Sequence, residues 1–389
     1  MMNIVRLNLS QSIDTQFSEI KTEDINAIVK EAIAIAEIPS PTFHEEVRAQ
    51  YVLERLKAMA VGKVQIIGHN NVLVTVGKGK GPLLLLAAHL DTVFPLKTTI
   101  KIRKEEGVLV GPGIGDNAVA IAAGLYLFER LKKYKMELSG TLIFAATTCE
   151  EGSGSLRGIG EVTRHIRQKI DYALALEGLF QGRLAHQAIG SDRWEVQYQG
   201  PGGHSWEDSG APNPNHALVK LGYFLVSLRL PPMTTLNLSI IEGGRSINSI
   251  STSARVSIDI RSLKQAELRR LSAIVKNRAK EIGKEDKVKM KLTLIGKRPA
   301  GQIGRAHQLV RLGKEIQKHL GIQSDFAPMS TDANMTLAKG IPSLAIGISK
   351  GGNCHREDEY LEIASIRSGL KQIMLFVTSL IGMDQCIDS

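Results

Sequence analysis

Over 22–37 the apolar residues Ile25, Ile28, Val29, Ala32 and Ile33 recur three and four positions apart, the spacing of one helix face, with Thr22 placed to cap it ahead of Glu23 and Asp24. Ser40-Pro41 ends that helix, and a second is expected over 43–59 on a face of Val47, Tyr51, Leu53 and Leu56. Two strand-like runs, 64–68 and 72–76, are joined by His69-Asn70-Asn71 as a turn. The pattern then alternates: the strand LLLLAA, a helix over 117–131, the strand TLIFAATT, a helix over 155–167 and the strand YALALEG. That alternation predicts an α/β, mostly parallel sheet with helices on both faces.

Around Ser191 the character changes. RWEVQYQG reads as a strand, 215–228 as a helix, TTLNLSIIEG and SARVSIDIRS as strands, 265–282 as a helix and KVKMKLTLIG as a last strand. This β-α-β-β-α-β order is that of a ferredoxin-like α+β unit. From Gly304 the α/β style resumes, with a helix to Leu320, a short helix over 334–338, the strand SLAIGIS and a closing amphipathic helix over 363–380. The expected division is therefore 1–190 and 301–389 for the larger domain, with 191–300 inserted into it. Neither an internal repeat nor a low-complexity linker is visible.

A chain of 389 residues with 43% hydrophobic and 23% charged residues has material for two cores and is expected to be a soluble globular protein. No stretch approaches the roughly 20 uninterrupted apolar residues of a membrane helix, because the longest candidate, LLLLAA, is broken by His89 and Asp91. Residues 1–17 lack a basic segment followed by an apolar one, so the expected location is cytoplasmic. Three cysteines, Cys149, Cys354 and Cys386, are too few for a disulfide framework and are read as small buried thiols. The net charge of +10 raises the question of nucleic acid, but the basic residues are dispersed and only 5% of residues are aromatic, which leaves few stacking platforms. Solvated faces and attraction of an anionic substrate account for the charge.

Polar residues at the ends of apolar runs carry the chemistry. His89 and Asp91 close LLLLAAHLD, Asp116 follows GPGIG, Glu150-Glu151 follow TLIFAATTC, Glu177 ends YALALE, and His355 follows the Gly351-Gly352-Asn353 turn. Carboxylates and imidazoles are rarely buried unless paired or bound to metal, so their repeated appearance at strand ends points to a site. Residues two apart in an extended segment face the same way, which lets His89 and Asp91 meet, one binding a metal and the other fixing the imidazole. Each motif also has a plain reading: a turn histidine, a helix N-cap for Asp116, an exposed loop histidine for His355. Adjacent Glu150 and Glu151 are harder to explain so, because neighbouring carboxylates repel unless a cation or proton relieves them. One can bind a metal while the other accepts a proton from water.

The order H-x-D, Gly-rich loop with Asp, Glu-Glu-Gly, Glu and a late His, with a ferredoxin-like insertion between the last two, resembles the M20 family of dinuclear zinc peptidases and amidohydrolases over nearly the whole chain. The resemblance implies a parallel-sheet zinc-hydrolase catalytic domain carrying an inserted dimerisation or lid domain. It implies that His89 and Glu177 hold one zinc, Glu151 and His355 the other, and that Asp116 bridges them. Asp91 would orient His89, and Glu150 would be the general base and acid. Cobalt or manganese could substitute for zinc. In GPGGHSW, His204 matches the histidine that reaches a partner subunit's site in a homodimer. Asn248, Arg261 and Arg298 match positions that bind a substrate carboxylate, a task suited to the forked guanidinium.

Asn117-Ala118 follow Asp116 where relatives commonly have a lysine, and Arg356 follows His355 where many have threonine, so substrate preference departs from the common pattern. The expected activity is hydrolysis of an amide bond in an N-acyl amino acid or short peptide with a free carboxylate. The alternatives are a di- or tripeptidase and, more remotely, a non-catalytic protein that keeps the fold. Neither a nucleic-acid nor a membrane partner is expected.

Overall fold

The computed structural model describes residues 19–77 and 80–385; residues 1–17 and Cys386, on which two of the sequence expectations fall, lie outside the described residues. The chain forms two compact units. One is built from the chain up to Ala188 and from Gln302 onward, the other is Ile189–Gly301. The first break falls two residues before the expected one because the first strand of the inserted unit already pairs at Gly190, opposite Ser262.

The elements that matter run in this order: α1 (Thr22–Ala36), α2 (Glu46–Met59), β1 (Lys63–Ile67), β2 (Asn71–Val76), β3 (Leu83–His89), α3 (Val119–Lys133), β4 (Thr141–Thr147), α4 (Arg157–His165), β5 (Tyr172–Glu177) and β6 (Leu184–Ala185). In the inserted unit come β7 (Gly190–Gln199), α5 (Pro214–Val226), β8 (Thr234–Gly243), β9 (Ser253–Ser262), α6 (Gln265–Glu285) and β10 (Lys289–Arg298). The chain then returns through α7 (Gln308–His319), α8 (Ala333–Ala338), β11 (Ser343–Gly347) and α9 (Ile363–Ile381).

The large unit is organised on a seven-stranded sheet of order β1-β2-β4-β3-β5-β11-β6. The four central strands are mutually parallel and the pairings at the edges antiparallel. Every residue of β3, β4 and β11 is buried, as strands covered on both faces require. Alternation divides them between two cores. Leu84 and Leu86 join α1, α3 and α9, whereas Leu83 and Leu85 join Ile159 and Val162 of α4. Register puts His89 opposite Thr147 and Gly347 opposite Glu177, so His89, the segment after Thr147 and Glu177 all emerge at the carboxyl ends of parallel strands. Open α/β sheets bind their ligands there.

Local differences from the sequence expectation have local causes. Helix α1 is capped at Lys21, whose backbone N–H donates to Asp24 at 2.7 Å, rather than at Thr22. Helix α3 starts at Val119, since residues 114–118 form a wider turn with non-helical angles at Asp116 and Asn117. A small sheet pairing Val108–Val110 with Tyr360–Glu362 had no signal in its short, mixed sequence.

In the inserted unit the sheet order is β8-β9-β7-β10 with antiparallel neighbours, the ferredoxin-like arrangement. Trp194, Val196, Tyr198, Val256, Ile258 and Ile260 turn one face onto α5 and α6. Among the described residues no helix is long and apolar enough to cross a membrane.

Candidate functional site

His89 is the last residue of β3. Its Nδ1 donates to the backbone carbonyl of Asp91 at 2.9 Å, which leaves Nε2 to face Asp116 Oδ1 at 3.0 Å and Glu177 Oε2 at 3.9 Å. The Asp91 carboxylate stands 3.8 Å from Nδ1 and has other partners. Its two oxygens accept the backbone N–H groups of Glu150 at 2.9 Å and Glu151 at 2.8 Å, and Oδ2 also accepts Thr42 Oγ1 at 2.9 Å. The tautomer of His89 is thus set by the Asp91 main chain, while the side chain shapes the Glu150-Glu151 turn.

Behind this turn lies Arg48, fully buried on α2. Its guanidinium donates to the carbonyls of Ala36, Ile38 and Leu90, joining the end of α1 to the residue between His89 and Asp91. Burial lowers its pKa to about 10, and the nearby Asp91 carboxylate opposes that fall. An arginine on an otherwise half-apolar helix gave no sequence signal of this role.

Asp116 lies between two imidazoles. Oδ1 faces His89 Nε2 at 3.0 Å and Oδ2 faces His355 Nε2 at 3.0 Å. The same His355 nitrogen is 3.0 Å from Glu151 Oε1, and the Cys354 thiol donates to Asp116 Oδ2 at 3.1 Å. Asp116 does not cap α3, whose first residue follows Ala118 without a side-chain cap. Asn117 is buried and brackets Glu177: its Nδ2 donates to the Leu176 carbonyl at 2.9 Å and its Oδ1 accepts the Gly178 N–H at 2.7 Å. Gly178 must lack a side chain there, since a Cβ would meet the Gly115 carbonyl oxygen at 1.7 Å. Glu150 is buried, with a carboxylate oxygen within 4.8 Å of both a His89 nitrogen and a Glu151 oxygen.

Sequence reasoning missed Glu359. It is fully buried, and its carboxylate accepts the N–H groups of Gly115 at 2.7 Å, Asp116 at 2.9 Å and His355 at 3.3 Å. It is the last of three consecutive acids, and nothing in Glu357-Asp358-Glu359 marks which one turns inward.

The electrostatics of this cluster call for positive charge. Burial works against charge on His89, yet Asp116, Glu150 and Glu177 raise its pKa well above the ordinary value. His355 is also raised, chiefly by its bond to Asp116. Burial would raise Asp116, but His355 and His89 hold it well below the usual carboxylate range. Glu177 is pushed well above that range by burial, with Asp116 and Glu150 adding to the shift. Burial likewise pushes Cys354 up to about 12 and, with Asp116 nearby, Glu359 to about 8. Four carboxyl groups, Asp116, Glu150, Glu151 and Glu177, thus meet two imidazoles, and protons on the imidazoles and on Glu177 balance only part of the charge. Divalent cations replace such protons and balance the rest. The nitrogen and oxygen donors, grouped as His89-Asp116-Glu177 on one side and Glu151, His355 and Asp116 on the other, fit two of them.

The remaining candidates lie in the inserted unit. His204 is exposed, with Nδ1 accepting the N–H groups of Trp206 and Glu207 at 3.3 Å each. Asn248 is exposed and its Oδ1 accepts Ser246 Oγ at 3.1 Å. Arg261 and Arg298 flank Ser191 in register on the two strands beside β7. Arg193, two residues on, belongs to the same face, opposite the helices. Asp259 pairs with Arg261 at 2.7 Å and with Arg193 at 3.4 Å. Burial first, then Arg298, lowers the Arg193 pKa. Arg193 and Arg261 share the Asp259 carboxylate, and Arg298, itself buried, lies close enough to Arg193 to depress it, so this end of the face is positive; Arg193 is an addition that the sequence did not single out.

The chain is a parallel α/β sheet interrupted by a ferredoxin-like unit, and the Asp116 carboxylate, in a turn, stands between the imidazoles of His89, at a strand end, and His355, in a loop, the nitrogen and oxygen donor set of a metal-dependent hydrolase. Residues 85–379 match the model of peptidase family M20/M25/M40, and the chain belongs to that family. It is 25% identical over 358 residues to a succinyl-diaminopimelate desuccinylase of Corynebacterium glutamicum, covering 87% of this chain and 94% of that protein. It is 26% identical over 316 residues to carboxypeptidase G2 of Pseudomonas sp. (strain RS-16), covering 77% and 74%. Among solved structures, a tripeptidase from Staphylococcus aureus superposes with a TM-score of 0.77 at 20% identity, covering 92% of this chain and 98% of that one. A dinuclear metal-binding peptidase of the M20 family from Bacillus subtilis gives 0.66 at 16% identity over 92% and 98%. These two likenesses establish the fold.

Proposed function

We propose that the chain hydrolyses the amide bond of an N-acyl amino acid or short peptide whose product side bears a free carboxylate. The observation that carries this reading is Asp116, with its two oxygens each 3.0 Å from a different imidazole. His89 and Glu177 would hold one cation and Glu151 and His355 the other, with Asp116, which faces both imidazoles, available to each; zinc would suit this nitrogen and oxygen set, with cobalt or manganese as substitutes. When bound, the two ions supply Lewis acidity that polarises the amide carbonyl and acidifies water. Glu150, held by its backbone N–H to Asp91, takes the proton from the attacking water and returns it to the leaving nitrogen.

The guanidiniums of Arg261 and Arg298, with Arg193 beside them and Asn248, receive the substrate carboxylate. The positive patch supports this, as do relatives named for removing succinyl groups and for carboxypeptidase action. Residues of the inserted unit complete the site through a homodimer, in which the Nε2–H of His204 donates to the scissile carbonyl of the partner's substrate. Support comes from the two edges of its sheet. Both edge strands expose apolar residues, Leu294 and Ile295 on β10 and Ile240 and Ile241 on β8, but only β10 also carries lysines, Lys289, Lys291 and Lys297, the charges that keep an edge unpaired. Val219, Tyr223 and Val226 form an exposed apolar stripe along α5. The location is taken to be cytoplasmic.

The test is a hydrolysis screen of N-acyl amino acids against di- and tripeptides, with zinc, cobalt or manganese added to metal-free protein. Turnover of acyl amino acids lacking a free amino group is the expected result. Turnover only of substrates with a free amino terminus would assign a di- or tripeptidase instead.

A further inference from the structure

We infer that Glu359 is a positioning residue that ties the shared carboxylate to the second imidazole, and thereby sets how tightly the cation beside Glu151 and His355 is held. The inference rests on the two-cation reading of the site. Glu359 touches neither substrate nor cation on that reading; it acts through the main chain. Its Oε1 accepts the N–H groups of Gly115 and Asp116, and its Oε2 accepts that of His355. One carboxylate therefore fixes two loops some 240 residues apart in sequence, 243 from Asp116 to Glu359.

Other bonds hold each loop separately, Asn117 to Leu176 and Gly178 in the first and Asn353 to Asp358 in the second, but Glu359 joins the main chains at Asp116 and His355 to each other. Asp116 sits in a turn with non-helical angles, and His355 has a φ of 67°, a left-handed conformation that an ordinary side chain adopts only when its surroundings impose it. The imidazole of His355 is half exposed, so packing does little to hold it. Of the three groups that would surround the second cation, Glu151, His355 and Asp116, only Glu151 has no bond to Glu359 and is placed by its N–H bond to Asp91. Groups that orient metal ligands in this way are typically worth about 10–100-fold in metal affinity.

Replacing Glu359 by glutamine separates this role from bulk structural support. The amide keeps the size of the side chain but offers one acceptor oxygen and one NH2. The oxygen serves the two N–H groups at Asp116, and the NH2 is left opposing the N–H of His355. The Asp116 turn stays anchored and the His355 loop is released. Metal-free wild type and Glu359→Gln are dialysed against graded concentrations of buffered free zinc and the bound zinc is counted by mass spectrometry, with thermal melting of the metal-free proteins alongside. The expected result is two zinc ions in wild type; in Glu359→Gln one binds within about twofold of wild type and the second about 10–100-fold more weakly. On a His355→Ala background the same substitution should add little further loss, because the ligand it positions is gone. Restoration of the second ion by Glu359→Asp, to within tenfold of wild type, would add support. Two ions bound by Glu359→Gln as in wild type would overturn the inference, as would equal weakening of both ions with a fall in the melting temperature of the metal-free protein. Wild type holding fewer than two ions would contradict the two-cation reading itself.

Discussion

The carboxylate of Asp91 accepts the backbone N–H of Glu150 at 2.9 Å, so the residue in the H-x-D motif that orients His89 through its main-chain carbonyl also places the proposed general base through its side chain. Its second oxygen does the same for Glu151. Asp91→Asn keeps one acceptor but turns the other into a donor facing an N–H. We expect kcat to fall about 10–100-fold while both metal ions remain bound. Unchanged kcat, measured on protein of verified metal content, would contradict this role.

Asn117 grips the main chain on both sides of Glu177 from a position inaccessible to water. Asn117→Ala removes two buried hydrogen bonds and leaves a carbonyl and an N–H unpaired, which costs about 2–3 kcal/mol. Denaturant unfolding of the metal-free variant should show that loss, and zinc titration should show weaker binding beside Glu177. Stability within about 0.5 kcal/mol of wild type would mean that water replaces the amide.

Removal of metal should destabilise the protein, because Asp116, Glu150, Glu151 and Glu177 then face one another with only the imidazole protons and a proton on Glu177 to relieve them. The melting temperature at pH 7 should fall on chelation and recover with zinc, rising further with free zinc concentration as linkage requires. A melting temperature indifferent to zinc would argue against a cation between these acids.

Away from the site, Glu161 on α4 accepts the backbone N–H of His69 and the side-chain amide of Asn71, each at 2.9 Å, and pairs with the His69 imidazole. Burial opposes its charge, but these partners hold its pKa below the usual carboxylate range. A depressed carboxylate stabilises the fold above its unfolded pKa, about 4.3, and that contribution is lost as pH falls through the folded value. Glu161→Gln should therefore lower the melting temperature at pH 7, with the difference shrinking below about pH 4. A difference that is constant with pH would contradict the linkage.

If His204 acts on a partner's substrate, breaking the dimer should silence the enzyme. Tyr223→Asp with Ile241→Asp places charge on the exposed stripe of α5 and on the bare edge of β8. Light scattering should then report a monomer with little turnover. A fully active monomer would remove His204 from the mechanism.

Much of this was legible in the chain. The parallel strands were visible because burial on both faces makes them unbroken apolar runs, as in LLLLAA and TLIFAAT. The ferredoxin-like order was visible because half-buried β7 alternates its polar and apolar residues and the two helices keep a steady period. His89, Glu151 and Glu177 were visible because each closes an apolar run, Asp116 and His355 because each follows a Gly-rich turn, and the fold brings the five together. What stayed hidden is what acts through the main chain. Arg48, Asn117 and Glu359 hold carbonyls and N–H groups far away in sequence, and no local pattern distinguishes them from solvated neighbours. The division of labour at Asp91 was hidden for the same reason: spacing places two side chains on one side of a strand but not the backbone atoms that reach them.

The most direct test of the account is Glu150→Gln, assayed for bound metal and for turnover on the same preparation. Two metal ions per chain with kcat reduced about 100-fold to 10,000-fold is the predicted result, since a proton carrier is lost and no ligand is. Turnover within tenfold of wild type, or loss of the metals together with the activity, would contradict it.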